Sequence, residues 1–363
     1  MADSKRSVYF LVAVGVFFLF TRARFGIASM SPALDLATGE AVARDRAVSA
    51  IVPDIFANAI DPDITASAAL IEDTRSGDAL WINTECFISQ AMMEEILGAR
   101  RQGESAVRFP TLSATWNARA GSEGRALSDA GKKTLRVALP HHAPASGLIM
   151  DALFSISSEP GEVREIILLG PNHGNKGKAS MTTYAGWLTP YGNVSPDKEL
   201  IDILTARGLA ARSDQEFLAE HSIGVLMPWL AYYFPEANVT PLMFHYKYPT
   251  RKLDGIFATL APWLDRGALL IVSADFSHNH KRDEAVLYDK ETIRLLEQND
   301  WRAIAGLGSD YLDSPTLLAA LMKDSAGRGL EGPKILANTN SGFLMGNPAD
   351  EITSYIVLTY MEK

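Results

Sequence analysis

The chain has 363 residues, of which 47% are hydrophobic and 21% are charged, a composition typical of a folded protein with an ordinary core. Its net charge of -9 and its lack of basic blocks disfavour binding to nucleic-acid phosphates. The single cysteine, Cys86, excludes an intrachain disulfide and a cysteine-rich zinc site. Any metal bound by this chain must therefore be held mainly by nitrogen and oxygen atoms.

The amino terminus has the pattern of an export signal. Two basic residues precede the thirteen uncharged residues 8–20, and two arginines follow them. A helix of this length spans about 20 Å, less than the roughly 30 Å of a bilayer core, which fits a signal peptide or an anchor with snorkelling arginines. We expect residues 1–30 to be a signal peptide or membrane anchor, with 8–20 as the tether and the main domain outside the cytoplasm. The alternative is a buried helix of a cytoplasmic protein.

Residues 31–133 form an extension without histidine, and the sequence does not identify its role. Residues 87–97 have the spacing of an amphipathic helix, and the basic residues that follow suit the negative end of its dipole. Residues 119–133 are rich in glycine, serine, alanine and charge, which indicates a linker or exposed loop. We therefore expect the main domain to cover residues 134–363.

Strand and helix patterns alternate through the main domain. Short apolar runs predict strands at 135–139, 165–169, 239–244, 268–273, 334–339 and 354–360. Helical patterns occur at 146–157, 197–207, 223–234, 251–264, 282–298 and 315–325. This alternation predicts an α/β fold with a central, largely parallel or mixed sheet flanked by helices.

All seven histidines lie between residues 141 and 280, and most of them follow predicted strands. His141 follows the first of these strands, His173 the second and His278 the fourth. Ligand sites of open α/β sheets form beyond the carboxyl ends of strands, so these imidazoles should converge. Imidazole binds transition metals and transfers protons near neutral pH. The pattern therefore predicts a histidine-lined metal site.

The other strand-end histidines are weaker candidates. His142 adjoins His141 and is expected to point to a different side of the chain. His245 ends the strand at 239–244 and is expected to be a satisfied core histidine. His280 is expected to be solvated or to support the site.

Two acids and one histidine complete the candidate site. His221 opens a predicted helix and would act as an acid or base, with Glu220 setting its tautomer or pKa. Glu220 could instead bind the metal, or simply favour the positive end of the helix. Asp275 lies two residues beyond the strand at 268–273, where it can accept a hydrogen bond from a metal-binding imidazole.

Several common catalytic motifs are absent from the sequence. It contains no phosphate-binding Gly-x-x-x-x-Gly-Lys loop and no Gly-x-Gly-x-x-Gly fingerprint after a strand. It also contains no Gly-x-Ser-x-Gly elbow and no His-Glu-x-x-His helix. These absences disfavour nucleotide enzymes, serine hydrolases and zincin-type proteases.

Five short motifs occur in the order found in Memo-like proteins, a family also called AmmeMemoRadiSam system protein B. They are Pro140-His141, Gly170-Pro171-Asn172-His173, Glu220-His221-Ser222-Ile223, Ser273-Ala274-Asp275-Phe276-Ser277-His278 and Thr353-Ser354-Tyr355. Residues 134–363 resemble that family, whose fold is similar to that of the class III extradiol (LigB-like) non-haem iron dioxygenases. The resemblance implies a metal-binding cleft in which His141 and His173 bind the metal and His221 acts as acid or base.

The resemblance leaves the third ligand open. Ser277 falls where some Memo proteins have a cysteine ligand, and a serine hydroxyl is a poor ligand for copper or ferrous iron. Glu220, Asp275 and His278 are the other candidates, or the metal is weakly held or absent.

The resemblance favours an iron- or copper-dependent redox enzyme with dioxygenase-like chemistry. One alternative is a non-catalytic module, tethered outside the membrane, that binds a metal, a small molecule, a peptide or a protein. Another is a hydrolase that activates water with zinc or manganese. The unknown ligand is expected to be a small molecule or a peptide, and self-association is a further prediction.

Overall fold

The computed structural model describes residues 70–73, 79–101, 133–159, 161–346 and 351–363 of the chain. The predicted signal peptide or anchor at 1–30 lies outside the described residues, as does the predicted linker except for Lys133. Among the helices of the described residues, none is long and apolar enough to cross a membrane.

The described residues form twelve strands and ten helices. The strands are β1 (Leu70–Asp73), β2 (Ala79–Asn83), β3 (Thr134–Leu139), β4 (Glu165–Asn172), β5 (Ser180–Thr182), β6 (Gly186–Thr189), β7 (Gly192–Val194), β8 (Ala211–Arg212), β9 (Asn238–His245), β10 (Leu269–Ser273), β11 (Glu331–Asn340) and β12 (Ser354–Met361). The helices are α1 (Gln90–Arg101), α2 (Ser146–Ser157), α3 (Lys198–Ala206), α4 (His221–Gly224), α5 (Met227–Tyr233), α6 (Thr250–Asp265), α7 (Arg282–Glu297), α8 (Trp301–Gly306), α9 (Pro315–Gly327) and α10 (Ser341–Leu344).

The larger sheet has eight strands in the order β11-β12-β3-β10-β4-β9-β5-β8. Its central strands β3, β10, β4 and β9 are parallel, and Ile271 of β10 pairs with Val137 on one side and Leu168 on the other. The strands β11, β12 and β5 join antiparallel neighbours. The sheet is therefore mixed, and the predicted α/β class with flanking helices is confirmed.

Successive residues of the central strands face opposite sides of the larger sheet. Val137 and Leu139 belong to one core, which also contains α2 and α5, whereas Ala138 belongs to the other core with α6 and α9. All three side chains are fully buried. Burial on both faces explains why these strands are nearly continuous apolar runs in the sequence.

A smaller sheet, in the order β1-β2-β6-β7, contains strands that the sequence patterns did not predict. These strands have only three to five residues, too few for a clear periodic signal. Strand β2 runs parallel to β6, and Ile82, Met93 and Ile96 pack in the same core as Trp187. Residues 79–101 of the predicted extension thus share a core with the predicted main domain.

Two of the predicted helices differ from the sequence prediction by more than two residues. The helix expected at 87–97 begins at Gln90, because Thr84–Cys86 forms a 3₁₀ turn capped by the side chain of Asn83. The helix expected at 223–234 is divided into α4 and α5, with Pro228 in the first turn of α5. Helix α4 begins at His221, as predicted.

Candidate metal centre

The carboxyl ends of three neighbouring parallel strands bring the candidate residues together. His141 lies two residues beyond β3, Asp275 two residues beyond β10, and His173 directly after β4. Because β10 lies between β3 and β4, these residues meet at one edge of the sheet. This is the crevice in which open α/β sheets bind ligands.

Three histidine rings lie close together at this edge of the sheet. The ring centroid of His141 lies 5.1 Å from that of His173 and 5.3 Å from that of His221. The rings of His173 and His221 are stacked, with their centroids 4.2 Å apart. One ligand atom from each of the three histidines lies within 4.8 Å of the others, so the group could hold a metal ion. His141 is buried, whereas the side chains of His173 and His221 are 32% and 43% exposed and face solvent.

Close packing at two glycines holds His221 beside His173. A Cβ atom on Gly170 would lie 2.8 Å from Oγ of Ser222, and that hydroxyl donates a hydrogen bond to the carbonyl of Pro171 at 2.7 Å. A Cβ atom on Gly224 would lie 2.3 Å from the ring of Phe87. Only glycine permits both contacts, which press α4 against the end of β4 on one side and against Phe87 on the other.

Glu220 orients His173. Its Oε1 accepts a hydrogen bond from Nδ1 of His173 at 2.7 Å, and its Oε2 accepts one from the backbone N–H of His173 at 2.9 Å. His221 is a more distant neighbour, with its Nδ1 3.7 Å from Oε1 of Glu220. Because Nδ1 of His173 is occupied, its Nε2 is the nitrogen available to a ligand.

The hydrogen bonds of Ser273 determine the tautomer of His141. The Ser273 hydroxyl donates to the carbonyl of Ser222 at 2.6 Å, so it must accept from Nδ1–H of His141 at 2.8 Å. Burial, followed by the charges of neighbouring histidines, lowers the pKa of His141 well below its usual value. His141 is therefore neutral near pH 7, and its Nε2 presents a lone pair to the site. Its backbone N–H donates to Oδ1 of Asp275 at 3.0 Å.

Asp313, which lies in the loop between α8 and α9, was not among the residues predicted from the sequence. Its Oδ2 lies 3.3 Å from Nε2 of His141 and 3.7 Å from Nε2 of His173. The loop is joined to the segment after β10, because the N–H of Asp275 donates to Oδ2 of Asp313 and the N–H of Asp313 donates to the Asp275 carbonyl. Asp313 follows no strand, and the sequence Asp313-Ser314-Pro315 before a helix indicates only an ordinary helix start.

The site residues shift one another's pKa values in opposite directions. Burial opposes protonation of His173, but hydrogen bonds and charges from Asp313 and Glu220 outweigh it and raise its pKa to about 10. Burial and the charge of His173 lower the pKa of His221 to about 4. Burial, reinforced by the charge of Asp313, raises the pKa of Asp275 well above its usual value. Titratable groups that are shifted apart in this way are concentrated at functional sites.

Ser277 and His280, two other predicted residues after β10, make contacts outside the three-histidine group, whereas His278 interacts electrostatically with all three histidines. The Ser277 side chain is fully buried, and its hydroxyl donates to Oγ of Ser354 at 3.0 Å. His278 is half-buried and burial lowers its pKa. The ring of His280 lies 4.6 Å from the ring of Tyr288.

The two remaining histidines fasten neighbouring segments. Nδ1 of His142 lies 2.9 Å from the hydroxyl of Tyr355, and burial lowers the pKa of His142 to about 4. Nε2 of His245 donates to the carbonyl of Lys176 at 3.0 Å, which joins the end of β9 to the loop after His173.

The donor atoms fit a divalent transition metal. Two ligand atoms at about 2.1 Å from one ion lie roughly 3.0–3.4 Å apart, close to the 3.3 Å between Nε2 of His141 and Oδ2 of Asp313. Nε2 of the neutral His141 imidazole and Oδ2 of the ionised Asp313 carboxylate each present a lone pair. The two atoms therefore repel each other unless a cation or a proton lies between them. Two imidazoles and a carboxylate form the ligand set of many ferrous sites, and three imidazoles form the set of many zinc sites.

Comparison with known proteins identifies the family. The family model described as Memo-like protein matches residues 117–314, more than half of the chain, and this range contains every residue from His141 to Asp313 discussed above. The chain belongs to the Memo-like protein family. The family resemblance predicted from the five motifs is confirmed.

Two curated relatives of this Memo-like chain come from Methanopyrus kandleri and Saccharolobus solfataricus. A MEMO1 family protein of Methanopyrus kandleri is 31% identical over 160 residues, which are 43% of this chain and 56% of that protein. A MEMO1 family protein of Saccharolobus solfataricus is 25% identical over 218 residues, 57% of this chain and 75% of that protein. The crystal structure of an uncharacterized protein from Escherichia coli K12 is 17% identical, with a TM-score of 0.41 over 61% of this chain and 99% of that one, a likeness too low to add to the assignment.

Proposed function

We propose that this Memo-like protein is a metal-dependent redox enzyme with a dioxygenase-like centre. The ligands would be Nε2 of His141, Nε2 of His173 and Oδ2 of Asp313, and the metal ferrous iron, with copper as the alternative. The observation that carries the proposal is the approach of two imidazole nitrogens to one carboxylate oxygen, at 3.3 and 3.7 Å. A ferrous ion held by two histidines and a carboxylate supplies open positions at which O₂ and a substrate bind.

The residues around this ligand set would prepare it for binding. Glu220 holds Nδ1 of His173, and Ser273 holds Nδ1 of His141, so both rings direct Nε2 inward. Hydrogen-bonded supports of this kind typically change metal affinity by about 10- to 100-fold. Because they are part of the folded protein, the site is organised before a ligand arrives.

His221 would transfer the substrate proton. Its side chain is 43% exposed and stacks on His173, so it faces a substrate that enters from solvent. With a pKa of about 4 it is neutral near pH 7 and can accept a proton from an acidic hydroxyl of a substrate. Removing a positioned acid or base of this kind typically costs about 10²- to 10⁴-fold in rate.

Metal analysis of protein purified without added metals tests the ligand set. The expected result is iron or copper near one ion per chain, lost in His141→Ala, His173→Ala and Asp313→Ala. His245→Ala is the matched control, because His245 also ends a central strand but donates to a backbone carbonyl. O₂ consumption by the iron-loaded protein with a panel of catechols then tests the chemistry. Equal metal content in the three ligand variants and the wild type would refute the proposed site.

A zinc hydrolase is the second candidate, favoured by the three imidazoles within 4.8 Å of one another. Three histidines with an open fourth position form a known set for zinc that activates water. In that case His221 would be a ligand, and His221→Gln would lose the metal together with the activity. Hydrolysis of ester substrates by the zinc-loaded protein without O₂ would favour this candidate over the redox enzyme.

A binding module tethered outside the membrane is the third candidate, favoured by Ser277 at the position of a cysteine ligand and by the export pattern of residues 1–30. Such a module would bind metal or a peptide without turnover. Cell fractionation of the full chain tests the location: recovery from the membrane or the extracytoplasmic fraction is expected, and recovery only from the cytosol would refute export.

A further inference from the structure

A buried carboxylate on α7 lies outside the group of proposed ligands. Asp289 is 5% exposed, and each of its oxygens accepts a hydrogen bond from a different strand. Its Oδ1 accepts from the hydroxyl of Ser354 on β12 at 2.5 Å, and its Oδ2 accepts from Nδ2 of Asn338 on β11 at 2.7 Å. Burying a carboxylate is costly unless donors satisfy it, and these two contacts help to do so.

The Asp289 carboxylate fixes the direction of a chain of hydrogen bonds. A serine hydroxyl has one proton to donate, and Ser354 gives it to Asp289. Oγ of Ser354 therefore only accepts from Ser277, whose backbone N–H and hydroxyl both donate to it at 3.0 Å. The backbones are joined as well, because the N–H of Ser354 donates to the Ser277 carbonyl at 2.8 Å.

The segment held by Ser354, residues 275–277, begins beside the proposed metal ligands. Asp275 lies two residues before Ser277, and its Oδ1 accepts from the backbone N–H of His141 at 3.0 Å. Its own N–H donates to Oδ2 of Asp313 at 3.2 Å, the oxygen that faces the histidines. Residues 275–277 are thus fastened to the site at one end and to Ser354 at the other.

We propose that Asp289 is a positioning residue of the metal centre. Asp289 accepts the hydroxyl proton of Ser354, which in turn accepts from Ser277. This orientation holds residues 275–277 in place, and so sets the spacing between His141 and Asp313. The inference rests on the proposed metal-binding function, and it assigns Ser277 the role of a link in this chain instead of a ligand.

Exchange of the acid and the amide tests this role. In Asp289→Asn, the amide offers one acceptor where the carboxylate offers two, so either its nitrogen faces the donor Nδ2 of Asn338 or Ser354 must turn its hydroxyl proton away from residue 289. The double variant Asp289→Asn/Asn338→Asp keeps the net charge and restores a donor-acceptor pair at both contacts of residue 289, and it loses only the long 3.4 Å hydrogen bond from Asn338 to the Tyr355 carbonyl. Asp324→Asn is the matched control, because Asp324 is a partly buried acid that pairs with Arg136 near the start of β3.

Titration with Co(II), followed by its visible absorption spectrum, is the measurement. We expect Asp289→Asn to bind Co(II) about tenfold more weakly with an altered spectrum, and the double variant to recover both. Asp324→Asn should lower the melting temperature but leave the affinity and the spectrum unchanged.

The outcomes separate the inference from the function on which it rests. If the wild type binds Co(II) and Asp289→Asn binds it equally well with the same spectrum, the positioning role is wrong and the proposed function stands. Equal weakening in Asp289→Asn and Asp324→Asn would also contradict the role, because it would indicate a general loss of stability. A wild type that binds no Co(II) would contradict the proposed function itself, and the inference with it.

Discussion

Strand β3 has charged groups at both ends, and the two ends are built differently. Near its start, the buried guanidinium of Arg136 contacts the Asp324 carboxylate at 3.3 Å and donates to the carbonyl of Leu135. Arg328 contacts the same carboxylate at 2.9 Å and also pairs with Asp265. Each cation in this Arg136 cluster faces an anion, so the cluster is complete as it stands.

Beyond the other end of β3, the groups do not complete one another. Nε2 of His141, held in the acceptor form by Ser273, faces the carboxylate of Asp313 at 3.3 Å. Asp313 and Glu220 drive His173 towards the charged form, whereas burial and the charge of His173 drive His221 towards the neutral form. The Arg136 cluster pairs each charge, whereas Nε2 of His141 and Oδ2 of Asp313 are facing acceptors that an added cation would join.

The largest effect should come from Asp313→Asn. The amide keeps the size of the side chain but removes the charge that faces both imidazoles, so Co(II) affinity should fall at least about 100-fold. Co(II) titration measures this directly. The melting temperature of the metal-free variant should also fall at neutral pH, because the change removes an anion that stabilises protonated His173. An affinity within threefold of the wild type would contradict the role of Asp313.

Breaking the Arg136 cluster should lower the stability of the protein and leave its metal affinity unchanged. Arg136→Met leaves Asp324 with only one cationic partner, and the free energy of unfolding should fall by about 3 kcal/mol. Urea unfolding measures the loss, and Co(II) titration of the folded variant should give the wild-type affinity. A loss of metal affinity in this variant would show that the two ends of β3 are not independent.

The pH dependence of metal binding follows from His173. Its pKa of about 10 means that the metal-free protein carries a proton on His173 at neutral pH, and a metal at Nε2 must displace it. Affinity should therefore rise about tenfold per pH unit between about pH 7 and 9, accompanied by the release of one proton. Isothermal titration in buffers of different ionisation enthalpy counts that proton. An affinity independent of pH over this range would exclude His173 Nε2 as a ligand.

A smaller effect is expected from Glu220→Gln. The variant loses the charge that helps hold the His173 proton, so the pKa of His173 should fall towards its usual value. The rise of affinity with pH should then level off nearer neutrality, at a plateau about tenfold below that of the wild type. Co(II) titrations at several pH values measure both changes. A variant whose affinity still climbs steadily to pH 9 would show that Glu220 does not set the pKa of His173.

The sequence predicted the parts of the site that follow strands. Residues buried on both faces of the sheet form continuous apolar runs, so β3, β4 and β10 were recognisable, and His141, His173 and Asp275 could be placed at their ends. His221 was recognisable because an acid and an imidazole precede an apolar helix.

The rest of the site depends on contacts between residues distant in the sequence. Asp313 is brought to His141 by a loop between two helices, and no local pattern separates it from an ordinary helix start. The attachment of Ser277 to Ser354 joins residues 77 positions apart. The packing of Phe87 against Gly224 likewise needs the folded chain, and it shows that residues before the predicted main domain help to position His221.

The most direct test of the metal centre is the anomalous diffraction of crystals grown with Co(II). We predict one strong peak about 2.1 Å from Nε2 of His141, Nε2 of His173 and Oδ2 of Asp313, with the ring of His221 beside it. A peak beside Ser277 and His278, or no ordered ion among the three histidines at saturating Co(II), would contradict the account.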